Sequence, residues 1–255
     1  MANGYYRAGG GGLGLTDGVK YLLIWNGIFY LLQHFILAGN IGFIDIQGLV
    51  GGRLGAIARL IAQRNGDFSV LLGLVPALVL QKGFVWQPVS YLFLHGGFFH
   101  LFFNMFALWL FGSDLERLWG TRRFYEYYFF TGVGAGLLTL ILTPREIVPT
   151  IGASGAIYGI LLAYARYFPE RRILLYFLFP IPVRVFVFII GAIALINSLT
   201  QMGSSIAHIA HLGGLVFGWL FLRGYGPAGM WRMIRGGRRR GARVRVIDFT
   251  RDDER

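Results

Sequence analysis

The chain has 255 residues, 55% of them hydrophobic and only 14% charged, with a formal net charge of +12 and no cysteine. Without cysteine there are no disulfides or thiolate metal sites. Recurrent apolar runs of about 20 residues, each able to cross a hydrocarbon core of about 30 Å, exclude an ordinary soluble domain. The positive charge gathers in the connections and the C-terminal tail, which fits membrane topology and anionic lipid and argues against a nucleic-acid partner.

The expected fold class is an all-α membrane protein with six transmembrane helices. Residues 1–19 are glycine-rich and polar, without a cleavable-signal pattern, and read as a flexible cytoplasmic lead-in. Residues 20–222 form the membrane domain. Its first span is expected over Tyr21–Ala38, with His34 near the far end meeting interfacial water. Residues 39–88 mix glycine, scattered charges and the run Leu71–Leu80, which Pro76 interrupts. That run is too short to span, so the stretch reads as a membrane-associated loop with short helices. The second span covers Phe98–Leu118 and ends in a polar corner, Gly112 to Arg123. The third is Phe124–Leu142, the fourth Gly155–Phe168, the fifth Pro182–Leu199 and the sixth Ile206–Leu222. Residues 223–255 are a basic cytoplasmic tail that turns acidic at its end.

With both termini cytoplasmic, Arg117, Arg122, Arg123, Arg166, Arg171, Arg172 and the tail all lie inside. The first loop then places three arginines and Lys82 outside, an exception that long loops tolerate. The start of the fourth span faces outward.

That start carries the motif Gly152-Ala153-Ser154-Gly155. Gly152 and Gly155 permit a sharp turn and a close neighbour. The first N–H groups of a helix lack intrahelical partners and point at developing negative charge. Those are the requirements of a serine nucleophile beside an oxyanion site. Taken alone, the motif fits a serine N-cap on a membrane helix better.

Polar side chains at membrane depth are costly, so each is a functional candidate. His100 and Asn104 share one face of the second span, as Ser154 and Tyr158 do on the fourth. On the sixth, Gly214 and Gly218 make a surface for close helix approach. At about 100° per residue, these glycines lie about 60° and 20° from His211, against about 120° and 80° from His208. His211 therefore projects from the packed face and reaches Ser154 if that face meets the fourth span. A histidine is the usual general base for serine. No Asp or Glu in the spans offers a third member, so a Ser154–His211 dyad is expected, with Tyr158 stacking on the imidazole and His100 and Asn104 as oxyanion donors. Each residue singly fits helix glue or a satisfied interior histidine better. No metal and no cofactor are expected, since nothing completes a ligand set for the histidines.

Several stretches together resemble the rhomboid intramembrane serine proteases. They are Trp86-Gln87-Pro88-Val89-Ser90, then Phe93 through His95, Gly96, Gly97 and His100 to Asn104, then Gly112…Glu116…Gly120, Gly152 through Gly159, and Ala210-His211-Leu212-Gly213-Gly214…Gly218. The resemblance covers about residues 70–222. It implies a six-helix, rhomboid-like bundle that cleaves peptide bonds in or beside transmembrane helices. It also implies Ser154 as nucleophile, His211 as base, and the Ser154 N–H, His100 and Asn104 as oxyanion donors. The first loop would lie in the outer leaflet, and Pro182–Ser205 would form the substrate gate. Gln87 stands where many members carry arginine, and Ser90 where threonine is common. The expected partners are single-span membrane protein substrates and membrane lipids, and the expected setting is a bacterial or archaeal plasma membrane. Two other readings are a non-catalytic member that binds transmembrane clients and, more distantly, a transporter. Non-catalytic members lack the serine or histidine kept here, and no internal repeat supports a transporter.

Overall fold

In the computed structural model, residues 14–36, 46–175, 178–200 and 205–226 are described. Most of the polar lead-in and nearly all of the basic tail lie outside them. So do residues 201–204 of the expected gate.

The described chain is mostly helical. α1 (Asp17–Leu31) continues through a π turn to Ile36, starting four residues before the expected span. The first loop holds α2 (Ile46–Val50), α3 (Gly52–Asn65), α4 (Asp67–Leu72), α5 (Pro76–Lys82) and α6 (Gln87–Ser90). Then come α7 (Phe98–Ala107), α8 (Ser113–Trp119), α9 (Thr121–Leu142), α10 (Ser154–Tyr167), α11 (Val183–Thr200) and α12 (Ser205–Leu220). Among the described residues, one helical run is both long and apolar enough by itself to cross a membrane. It is Phe98–Trp119, joining α7 to α8 through a π turn. α9 is as long, but it opens on Arg122, Arg123 and Glu126.

Two further expectations are corrected. The polar corner after the second span is helical through Trp119, and the chain turns at Gly120 with φ 80°. The chain is also not purely helical. β1 (Arg172–Leu175) pairs antiparallel with β2 (Phe179–Pro182), Arg172 opposite Pro182 and Leu175 opposite Phe179. Pro180 and Pro182 lack N–H donors and disfavour helix, and a two-stranded ribbon with free edges accommodates them.

The closest packing sets α9, α10 and α12 each against the other two, with Tyr127, Tyr128, Ala156 and Ile160 in the core. Within the first loop, side chains of the Trp86–Ser90 stretch hold α4 and the turn after it against α6, which packs on α9. The Trp86 indole donates to Leu71 O at 2.8 Å, and the Ser90 hydroxyl to Leu72 O at 2.6 Å. Gln87, fully buried, accepts from Val75 N–H at 2.9 Å and donates to Val70 O at 2.8 Å. The loop backbone then pairs with the segment leading into α10, Leu74 and Thr150 exchanging two hydrogen bonds of 2.9 Å. Short helices and a buried amide thus position the turn before Ser154.

Glu116, 4% exposed, organises the opposite end. Its carboxylate accepts from the Gly18 and Val19 N–H groups at 2.8 and 2.9 Å, and from the Thr16 and Thr121 hydroxyls. Gly18 and Val19 open α1, where N–H groups lack intrahelical partners, so a carboxylate from another helix caps it. Replacing Glu116 with Leu leaves four donors without an acceptor and should destabilise the fold by about 3 kcal/mol. Thermal unfolding in detergent should show a large drop for Glu116→Leu and a smaller one for Glu116→Gln.

Candidate active site

Ser154 is the first residue of α10, so its N–H lies among the helix's unpaired donors. The turn before it is set by Gly152, whose φ of 123° disfavours any side chain. Gly152 N–H donates to Tyr91 O at 2.9 Å. A Cβ on Gly152 would also stand 2.8 Å from Cε1 and Nε2 of His100, so the missing side chain admits that ring.

α12 lies against α10 through its glycines. A Cβ on Gly214 would sit 1.9 Å from the Gly155 carbonyl oxygen, and one on Gly218 3.3 Å from Gly159 Cα. A Cβ on Gly155 would press to 2.7 Å on Ala135 of α9. This approach brings His211 Nε2 to 2.8 Å from Ser154 Oγ, within hydrogen-bond distance. The Tyr158 ring lies parallel to the His211 imidazole, centroids 4.3 Å apart and planes 7° apart. Among the described residues, His211 Nδ1 is buried without a partner and no carboxylate orients the ring. His208 stands edge-on to His211 at 6.0 Å.

On α7, the Gly96 N–H points at His100 Nδ1 across 3.3 Å. A neutral ring accepting there carries its proton on Nε2, the nitrogen facing Gly152. Asn104 is buried one turn further on, and its amide donates to His100 O at 2.8 Å. One amide hydrogen then remains for another acceptor. Sequence reasoning gave no part to Gln87, to the Tyr91 carbonyl or to His95. The first stood out only as a departure from the usual arginine, and the others carry no signal in isolation.

A family model described as the Rhomboid domain matches residues 82–227, more than half of the chain. The chain belongs to the rhomboid family. This is a family of membrane-embedded proteins, generally intramembrane serine proteases, with inactive members among them. The chain is 35% identical over 152 residues to Rhomboid protein 1, mitochondrial, of Saccharomyces cerevisiae, covering 56% of this chain and 44% of that protein. It is 30% identical over 160 residues to Rhomboid protease GluP of Bacillus subtilis, covering 61% and 29%. With the mouse Presenilin-associated rhomboid-like protein, mitochondrial, identity is 32% over 148 residues, covering 55% and 38%. The matched stretch thus spans less than half the length of each of these relatives. The two mitochondrial names count against the expected bacterial or archaeal plasma membrane, and the membrane assignment itself stands.

Proposed function

We propose that this rhomboid is an active intramembrane serine endopeptidase, built on six transmembrane helices, that cuts single-span membrane proteins near the outer membrane face. The observation that carries this reading is the 2.8 Å approach of His211 Nε2 to Ser154 Oγ at a helix start. Ser154 attacks the scissile carbonyl while the neutral His211 imidazole takes its proton, then returns it to the leaving amine. Tyr158 holds the ring plane in place of a carboxylate. The Ser154 N–H, His100 Nε2 and the Asn104 amide receive the oxyanion. Gly152 and Gly155, with Gly214 and Gly218, give these groups their spacing. The Pro182–Ser205 segment admits the substrate from the lipid. With two mitochondrial names and one bacterial one among the three relatives named above, the proposal is for an integral membrane protein of either kind of membrane.

The test is incubation of the purified protein in liposomes with a panel of single-span substrates, beside Ser154→Ala. Cleavage by the wild type alone supports the reading. Tight binding without cleavage by a folded wild type favours a client-binding role instead.

Removing one oxyanion donor should cost about 3 kcal/mol of transition-state stabilisation. His100→Ala and Asn104→Ala should each lower kcat strongly with a normal thermal midpoint. If both cleave at the wild-type rate, the pair is only helix glue. Substrate choice follows from backbone access, because amides buried in a helix are closed to Ser154. Cut sites should carry small residues with glycine or proline nearby. Leucine runs installed there should slow cleavage, and equal rates would contradict the argument.

A further inference from the structure

His95 lies between α6 and α7, fully buried, and among the described residues neither of its ring nitrogens has a well-formed hydrogen bond, the Phe93 backbone being the polar backbone group that interacts with the ring. Burying an imidazole unpaired costs free energy that a phenylalanine of similar shape would avoid. Packing alone is therefore a weak reason for a histidine here.

Its surroundings supply a stronger one. The His95 ring stands 5.0 Å from the His100 ring at 67°, an edge-to-face contact. The backbone on both sides is clamped. His95 N–H donates to Gln33 Oε1 at 3.1 Å, and the Gln33 amide reaches Ser69 Oγ at 3.4 Å, linking α1 to α4. The next residue, Gly96, points its N–H at His100 Nδ1.

We propose that His95 is a positioning residue acting through His100. Gly96 sets which nitrogen of His100 carries the proton, and the His95 ring fixes the plane in which that proton points toward Gly152. The imidazole rim carries a lone pair and an N–H where phenylalanine carries only C–H. Its dipole stabilises the charge that the His100 ring takes on as it donates to an oxyanion. This inference rests on the oxyanion role proposed for His100.

A double-mutant cycle in liposomes tests it, reading kcat, KM and thermal midpoint for His95→Phe, His100→Ala and the pair. His95→Phe should keep or raise the midpoint and leave KM nearly unchanged. It should lower kcat roughly tenfold to a hundredfold, as a small misplacement does. The loss should vanish in the His100→Ala background, and His95→Gln, which keeps a polar rim, should recover part of the rate. If His95→Phe does not fold, His95→Leu enters the same cycle. Wild-type kcat in the single mutant, or an additive loss in the pair, overturns the positioning role while leaving the protease reading intact. A His100→Ala protein as fast as wild type overturns the oxyanion assignment, and this inference with it.

Discussion

Replacing His211 with alanine should lower cleavage by a factor on the order of 10⁴ or more, as loss of the base does in other serine hydrolases. His208→Ala should stay within a few-fold of wild type, a loss on the scale of a single peripheral contact. The two side chains sit about one helical turn apart on α12, and His211 is the one that faces α10 and stacks on Tyr158. His211 Nε2 lies 2.8 Å from Ser154 Oγ, whereas His208 meets the edge of His211 across 6.0 Å. A serine hydroxyl at its resting pKa is a poor nucleophile and needs a base within reach. Activity should also fall at acid pH, because a protonated imidazole accepts nothing. If His208→Ala silences the protein and His211→Ala spares it, the roles are exchanged.

The second large effect comes from a residue that touches no substrate. In Gly214→Ala, the new Cβ would meet the Gly155 carbonyl oxygen at 1.9 Å. Backbone cannot yield as a flexible side chain would, so α12 must move away from α10. Overpacking of this kind costs about 1–3 kcal/mol. Because His211 rides on α12 one turn earlier, the same shift lengthens its contact with Ser154, and a displacement of about 1 Å can cost about 10²-fold in rate. Gly27→Ala on α1 is the control, since a Cβ there has nothing within 4 Å. It should retain activity and change stability by no more than about 1 kcal/mol. A Gly214→Ala protein with wild-type kcat and midpoint would show that the α10–α12 contact is looser than described.

The pairing of α10 with α12 was legible because two glycines four residues apart mark a contact face, and helical geometry places His211 on it. Tyr158 was legible for the same reason, one turn from Ser154. What was not legible depends on contacts distant in sequence. Glu116 reads as a polar residue near a helix end, and its task of capping α1 appears only when residues 98 positions away come alongside. Gln87 reads as a substitution, yet its amide meets three backbone groups of the first loop that no periodicity announces. The β1–β2 ribbon hides in a run whose apolar character suits a helix approach equally well, and Pro180 and Pro182 say only where helix is disfavoured. The start of α1 was placed too late because Asp17, Gly18 and Lys20 look like loop residues until Glu116 satisfies the Gly18 and Val19 N–H groups.

The central claim is that Ser154 is a nucleophile activated by His211. Its most direct test is treatment of the folded, detergent-solubilised protein with a small fluorophosphonate, followed by peptide mapping of the adduct. The expected result is a single adduct on Ser154 that collapses in Ser154→Ala and His211→Ala and survives in His208→Ala. A folded wild type that stays unlabelled, or an adduct that persists in Ser154→Ala, would contradict it.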